Sequence, residues 1–151
     1  MSVAETVHAT CVVVGEAGLL IRGESGTGKS TLAREMLLHA GREGRFCRLV
    51  SDDRTRLAAH HGRLLASAVA PLAGCIEARG TGIVKLPFEE TAVIRLVVDL
   101  CEDSSRYPGP EDATIILCGV VLPRILSRRG AVLTDLVLGR LSGVCDTVVT
   151  L

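Results

Sequence analysis

Aromatic side chains are almost absent from this chain of 151 residues, which has two Phe, one Tyr and no Trp. A groove for single-stranded nucleic acid depends on stacking platforms that so few rings cannot furnish. Charge of one sign is also missing: 17 Lys and Arg stand against 17 Asp and Glu, for a formal net charge of zero. A polyanion-coating surface is therefore not expected, and no nucleic-acid partner is assigned. No stretch reaches the roughly 18 uninterrupted apolar residues of a bilayer span. Cys11 to Ile21 comes nearest, and Glu16 breaks it. The N-terminal text MSVAETVHATC has no basic region ahead of an apolar core, so a cytoplasmic protein without a membrane partner is expected. Closely spaced cysteines are lacking as well. Cys11, Cys47, Cys75, Cys101, Cys118 and Cys145 form no C-x-x-C pair, which predicts reduced, mostly buried thiols in place of a zinc site or a disulfide framework.

What is present is a 48% hydrophobic composition at a length that fits a single domain, residues 1–151, with one core. Val12 to Val14 and Leu19 to Ile21 are apolar runs about Gly15 to Gly18 and predict a hairpin. After a glycine-rich turn, Leu32, Ala33, Met36, Leu37 and Ala40 repeat at helical spacing from Lys29 to Ala40, with Gly41 as the expected C-terminal cap. A short strand, Leu49-Val50, then leads into Ser51, Asp52 and Asp53. Two strands are expected about His61-Gly62, where the alanine-rich text would also suit a helix, then a buried strand over Ala92 to Leu100 and another over Ile115 to Leu122, with a polar loop between those last two. A helix over Ala131 to Leu141 and a final strand over Thr147 to Leu151 complete the reading, which is of the α/β class with one mixed sheet.

Gly23-Glu24-Ser25-Gly26-Thr27-Gly28-Lys29-Ser30 satisfies G-x-x-x-x-G-K-[ST] in full, between an expected strand and an expected amphipathic helix. Glycines let the backbone curl so that successive N–H groups point at a phosphate, and the helix N-terminus adds partial positive charge. Lys29 is expected to reach the β- and γ-phosphates of ATP, and the Ser30 hydroxyl to ligate Mg²⁺. The scarcity of rings weakens any idea of adenine held by stacking, so recognition should fall on the phosphates.

A phosphate loop does not name a reaction. Behind the next strand, Asp52-Asp53 offers carboxylates that can hold Mg²⁺ through water or take a proton from an attacking hydroxyl. Adjacent carboxylates in a confined site repel, which suits one of them to carrying that proton. A third segment, Ile76 to Lys85 (IEARGTGIVK), reads as a glycine-containing turn between apolar runs. There Glu77 can supply an oxygen to Mg²⁺ and Arg79 can offset phosphate charge.

The order GESGTGKS, SDDR, IEARGTGIVKL resembles the catalytic domain of the HPr kinase/phosphorylase family, over about His8 to Arg129, in a short form without the separate N-terminal domain. The resemblance implies a P-loop kinase fold of the HPr kinase/phosphoenolpyruvate carboxykinase type. It also implies ATP-dependent phosphorylation of a serine of the phosphocarrier protein HPr, Mg²⁺ as cofactor, pyrophosphate as a possible alternative donor, and a homo-oligomer, typically a hexamer. Residue by residue, it implies active-site roles for His8, Lys29 and Arg106, a proton-accepting and proton-donating role for Asp53, and magnesium ligation by Ser30 and Glu77.

In the family, a late loop used for phosphorolysis carries a proline, basic residues and P-G-R-N. Here the matching text is Leu122-Pro123-Arg124-Ile125-Leu126-Ser127-Arg128-Arg129-Gly130, which keeps only the basic character and favours the kinase direction. Leu141-Ser142-Gly143 is too slight a likeness to a transport-ATPase signature to carry that reading. Two rivals stay open: a small-molecule kinase using Arg124, Arg128 and Arg129 as a lid, and a catalytically idle nucleotide-sensing regulatory module.

Overall fold

The computed structural model describes residues 4–70, 73–78, 80–101, 109–128 and 133–141. Among these, nine strands form one mixed sheet, and a short hairpin lies apart from it. The expected hairpin is β2 (Ala9–Val14) paired antiparallel with β3 (Ala17–Arg22) about a Gly15-Glu16 turn. Ahead of it, β1 (Ala4–Val7) is an additional edge strand. Its residues are mostly exposed, so no apolar run announced it.

The helix α1 spans Lys29–Arg42 and buries Leu32, Ala33, Met36 and Ala40 along one face. It runs past Gly41, the expected cap. Gly44, at φ +71°, takes the left-handed position instead, and Arg45 N donates to Ala40 O at 2.8 Å. Strand β4 (Cys47–Ser51) then pairs with β2, carrying the two aspartates out at its C-terminal end. The strands about His61-Gly62 are β5 (Thr55–His60) and β6 (Arg63–Ala68).

The signature segment forms the separate hairpin, β7 (Cys75–Ala78) against β8 (Gly82–Lys85). Strand β9 (Thr91–Cys101) is the spine of the sheet. It runs parallel to β3 on one edge, and its other edge is shared by β6 and β11. The register between β3 and β9 jumps so that Gly18 faces Ile94 while Leu19 faces Leu96. The bulge at Arg95 flips the alternation, which is why Ile94 and Val97 share one side of the sheet.

The expected single strand Ile115 to Leu122 is in fact a hairpin, β10 (Thr114–Leu117) and β11 (Val120–Arg128), turned by Cys118-Gly119. Cys118 sits there at φ +49°, an unusual place for a side chain other than Gly, Asn or Asp. The described end of the loop expected before this hairpin folds into a 3-10 turn, Pro110–Ala113. Helix α2 (Thr134–Leu141) falls within the span expected to be helical, and the last expected strand lies outside the described residues.

Alternation along the strands divides the core in two. Val12, Val14, Leu19, Ile21, Leu96 and Val98 face α1 and α2. Cys11, Val13, Leu20 and Val97 face the opposite way, against Leu57, Leu64 and Ala66 from the β5–β6 hairpin. Ile21 is fully buried on the helical side, so Ile21→Val is expected to cost about 1 kcal/mol, read as a lowered midpoint in urea unfolding at unchanged slope.

Cys11 and Cys47 are buried, while Cys75, Cys101 and Cys118 are only partly so, which corrects the expectation of mostly buried thiols. All five are free. Burial raises the Cys11 thiol pKa and pushes Cys47 up to about 11, keeping both as inert thiols. No helix among the described residues is long and apolar enough to cross a membrane.

Candidate functional site

The phosphate loop leaves the carboxyl end of β3, where that strand lies parallel to β9, the edge at which open α/β sheets place their ligands. Gly23 is required by close approach: a Cβ there would stand 2.8 Å from Leu100 O and 2.5 Å from Thr27 Oγ1. Gly28, at φ +99°, is the residue before the first turn of α1, and no side chain caps that turn. The first amides of the helix are thus left for an anion. Thr27 donates its hydroxyl to Glu24 O at 2.6 Å and closes the loop on itself.

Lys29 is 5% exposed, its stem packed beneath the loop, and its Nζ donates to Glu24 O at 3.1 Å. From there Nζ is 3.8 Å from Asp53 Oδ1. His8, which the chain supplies from the joint between β1 and β2, places Nε2 against that same Oδ1. A histidine, a lysine and a carboxylate from three distant stretches of sequence therefore meet at one oxygen beside the loop.

The paired aspartates divide the space between them. Asp53 turns through φ +64°, a left-handed conformation that Asp and Asn tolerate better than other side chains. It is held there by Ala9 N donating to Asp53 O at 3.1 Å and Asp53 N donating to Thr10 Oγ1 at 3.0 Å. This backbone reversal sends Asp53 toward His8 and Lys29, while Asp52 points to Ser30. Asp52 Oδ1 accepts from Ser30 Oγ at 2.6 Å and from Thr10 Oγ1 at 2.9 Å, and Asp52 Oδ2 accepts from Glu77 N at 3.1 Å. The expected mutual repulsion of neighbouring carboxylates is thus relieved by separate sets of donors.

The hydroxyl of Ser30 and the carboxylate of Asp52 give hard oxygen ligands side by side, and Glu77 is tethered next to them through its backbone. No group of three or more His, Cys, Asp and Glu gathers into a metal cage among the described residues. Mg²⁺ does not ask for one, since it keeps several waters and takes one or two protein oxygens together with phosphate oxygens. The residues present fit that cation. Thr10, fully buried and bonded to both aspartates, is a supporting residue the motifs did not reveal; its only sequence signal is a polar side chain inside an apolar strand.

Arg79 and Arg106 lie outside the described residues. Arg124, read from sequence as part of a basic loop or lid, is instead inside strand β11, donating to Asp99 Oδ2 at 3.1 Å and to Asp112 O at 2.9 Å. Those bonds remove it from any lid. Arg128 also belongs to that strand, and Arg129 lies outside the described residues.

Residues 1–106 match the family model described as the HPr Serine kinase C-terminal domain. Among curated proteins, the HPr kinase/phosphorylase of Clostridium tetani is 38% identical over 81 residues, covering 54% of this chain and 25% of that protein. The HPr kinase/phosphorylase of Enterococcus faecalis is 33% identical over 138 residues, covering 83% of this chain and 42% of that protein. The chain thus matches between a quarter and about two fifths of the length of these relatives. The solved structure of the Hpr(Ser) kinase/phosphatase from Coxiella burnetii superposes with a TM-score of 0.74 at 25% identity, covering 92% of this chain and 95% of that one. With the phosphate loop, the aspartate pair and the β7–β8 hairpin all inside the matched span, the chain belongs to the HPr serine kinase C-terminal domain family.

Proposed function

We propose that this chain transfers the γ-phosphoryl group of ATP to a serine of the phosphocarrier protein HPr. The observation that carries the proposal is the meeting of His8 and Lys29 at one carboxylate oxygen of Asp53, at the mouth of a phosphate loop. A nucleotide sensor needs the loop but has no use for a base set beside it, and a lid of arginines for a small-molecule kinase is weakened by the engagement of Arg124.

Asp53 is 56% exposed, so an acceptor hydroxyl can reach it, whereas Lys29 is deep in the loop. In the forward direction Asp53 takes the seryl proton as the seryl oxygen bonds to the γ-phosphorus. The bond from that phosphorus to the β,γ-bridging oxygen breaks, and ADP leaves with the electron pair. His8 fixes Asp53 Oδ1 toward the acceptor. Lys29 exchanges Glu24 O for phosphate oxygens, and the uncapped amides of α1 stabilise the charge on the transferred group. Ser30, Asp52 and Glu77 would hold Mg²⁺, which supplies positive charge against the phosphate oxygens.

The same cradle suits the reverse reaction. With inorganic phosphate in the loop, a protonated Asp53 gives its proton to the departing seryl oxygen of phosphoseryl-HPr while phosphate takes the phosphoryl group, yielding pyrophosphate. Use of pyrophosphate as donor in the forward direction follows from that reversibility. Assembly into a homo-oligomer belongs to this reading too, and Ile83, Ile116 and Val121 are exposed apolar side chains available to it.

The test is incubation of the purified chain with ATP, Mg²⁺ and HPr, with the phosphate located by mass spectrometry. Phosphate on a serine of HPr is expected, and omission of Mg²⁺ should suppress it. Tight ATP binding without transfer would sink the kinase reading in favour of the sensor.

A further inference from the structure

Strand β3 delivers the phosphate loop and ends in Arg22, to which the reaction outlined above gives no role. The parallel register sets Arg22 opposite Asp99 on β9. Its Nε donates to Asp99 Oδ1 at 2.7 Å and its Nη2 to Asp99 Oδ2 at 2.9 Å, a two-point contact between planar groups. Asp99 is 13% exposed and is itself held from behind, because Arg124 Nη1 donates to its Oδ2 at 3.1 Å. Arg124 is anchored in turn on Asp112, through the carbonyl at 2.9 Å and the carboxylate at 3.3 Å. Three side chains, from β9, β11 and the 3-10 turn, thus lock one edge of the Arg22 guanidinium.

Among the described residues the other edge is open. Nε and Nη2 use part of the donor set of a guanidinium, and Arg22 makes no further hydrogen bond among the described residues. Its side chain is 28% exposed and borders a cleft of about 640 Å³ together with His8, Gly23, Glu24 and Thr27. The cleft therefore runs along the flank of the phosphate loop as far as the histidine that touches Asp53. Hydrogen bonding to Asp99 raises the Arg22 pKa, against a smaller opposing effect of burial, and Glu5 adds attraction at longer range. An arginine braced on one edge and open on the other has already lost most of its rotamer freedom, the condition under which a planar fork recognises phosphate at least entropic cost.

We propose, resting on the phosphotransfer reading, that Arg22 is an anion-binding residue: Asp99 braces one edge of its guanidinium and the free edge takes a phosphoryl oxygen in the cleft beside His8. That oxygen comes from the polyphosphate tail of the donor or from free inorganic phosphate. Asp99 and Arg124 act as positioning residues behind it.

The test titrates the full chain, its Arg22→Met variant and its Arg22→Lys variant with ATP, pyrophosphate and inorganic phosphate by calorimetry in Mg²⁺, alongside thermal unfolding. Asp99 keeps Arg124 when Arg22 is replaced, so Arg22→Met should unfold within a few degrees of the parent. Its affinity should fall about tenfold or more, the order expected for hydrogen bonds to a charged group. Arg22→Lys keeps the charge but not the fork and should recover part of the loss.

Weakening for all three probes assigns the oxygen to the phosphoryl position they share. Weakening for ATP and pyrophosphate alone assigns it to the donor tail, and for inorganic phosphate alone to a separate anion on the acceptor side. Unchanged affinity for every probe in a folded Arg22→Met overturns the proposal, and should that variant unfold, Arg22→Lys decides by the same criterion. A parent chain that binds ATP but never phosphorylates HPr defeats the kinase reading alone, because these titrations need no acceptor. A parent chain that binds none of the probes defeats both.

Discussion

Asp53→Asn is expected to lower the rate of phosphoryl transfer to HPr by about 10²–10⁴-fold, the contribution of a positioned general base, while ATP binding stays within a few-fold of the parent. The selectivity follows from the backbone. Asp53 sits at φ +64°, and Asn is among the few side chains that accept that conformation as readily. The bonds that pin the turn, Ala9 N to Asp53 O and Asp53 N to Thr10 Oγ1, involve main-chain atoms of residue 53 and survive the substitution. What disappears is a carboxylate oxygen able to take the seryl proton, and with it the anionic partner of His8 and Lys29. Both directions should fall together, since the donor of the reverse step is the same group. Single-turnover phosphorylation and calorimetric ATP titration, run on one preparation, separate the two quantities. Retained turnover would remove Asp53 from proton transfer, and lost ATP binding would make it a structural or metal-holding residue instead.

The parts of this molecule that sequence made legible are those encoded over short distances. The β2–β3 hairpin, the phosphate loop and the buried face of α1 each depend on residues within a few positions of one another, so periodicity and glycine placement suffice. The β10–β11 hairpin was hidden because its turn uses Cys118 in a left-handed conformation, where an Asn-Gly or Asp-Gly pair would have announced it. The end of α1 lies two residues beyond the expected one because two glycines, Gly41 and Gly44, compete as caps and only the second leaves the helix. Arg124 is the most instructive case. Its basic neighbours made it look like loop text, yet its partners Asp99 and Asp112 lie 25 and 12 positions away, and no local pattern reports a contact at that range. The contact of His8 with Asp53 spans 45 positions. Family resemblance supplied the residues of that pair, and the fold supplies the reason they meet: β2 lies beside β4, so the start of one is next to the end of the other.

That adjacency also separates the two aspartates by phenotype. Asp52→Ala is expected to behave unlike Asp53→Asn in every respect: lower stability, weaker nucleotide binding in Mg²⁺, and loss of the Mg²⁺ dependence of that binding. Three donors converge on the Asp52 carboxylate, from Ser30 Oγ, Thr10 Oγ1 and Glu77 N. Removing it strands the two hydroxyls in part-buried surroundings, while the exposed Glu77 amide turns to solvent. Thr10 is fully buried and loses the acceptor of its hydroxyl, and one such orphan costs about 1–3 kcal/mol. At this chain length each kcal/mol lowers the melting temperature by about 2–4 °C, so a drop of several degrees should be visible in thermal unfolding. Loss of the bond to Glu77 N also removes the tether that sets Glu77 beside Asp52, so one substitution takes away one of the three oxygen ligands offered to Mg²⁺ and loosens a second. ATP titrations with Mg²⁺ and with EDTA should therefore give nearly the same affinity for Asp52→Ala, where the parent binds far more tightly with the metal. An Asp52→Ala protein that keeps both its melting temperature and its metal dependence would show that the carboxylate neither supports the hairpin nor serves the cation, and the assignment of separate tasks to the two neighbours would fall with it.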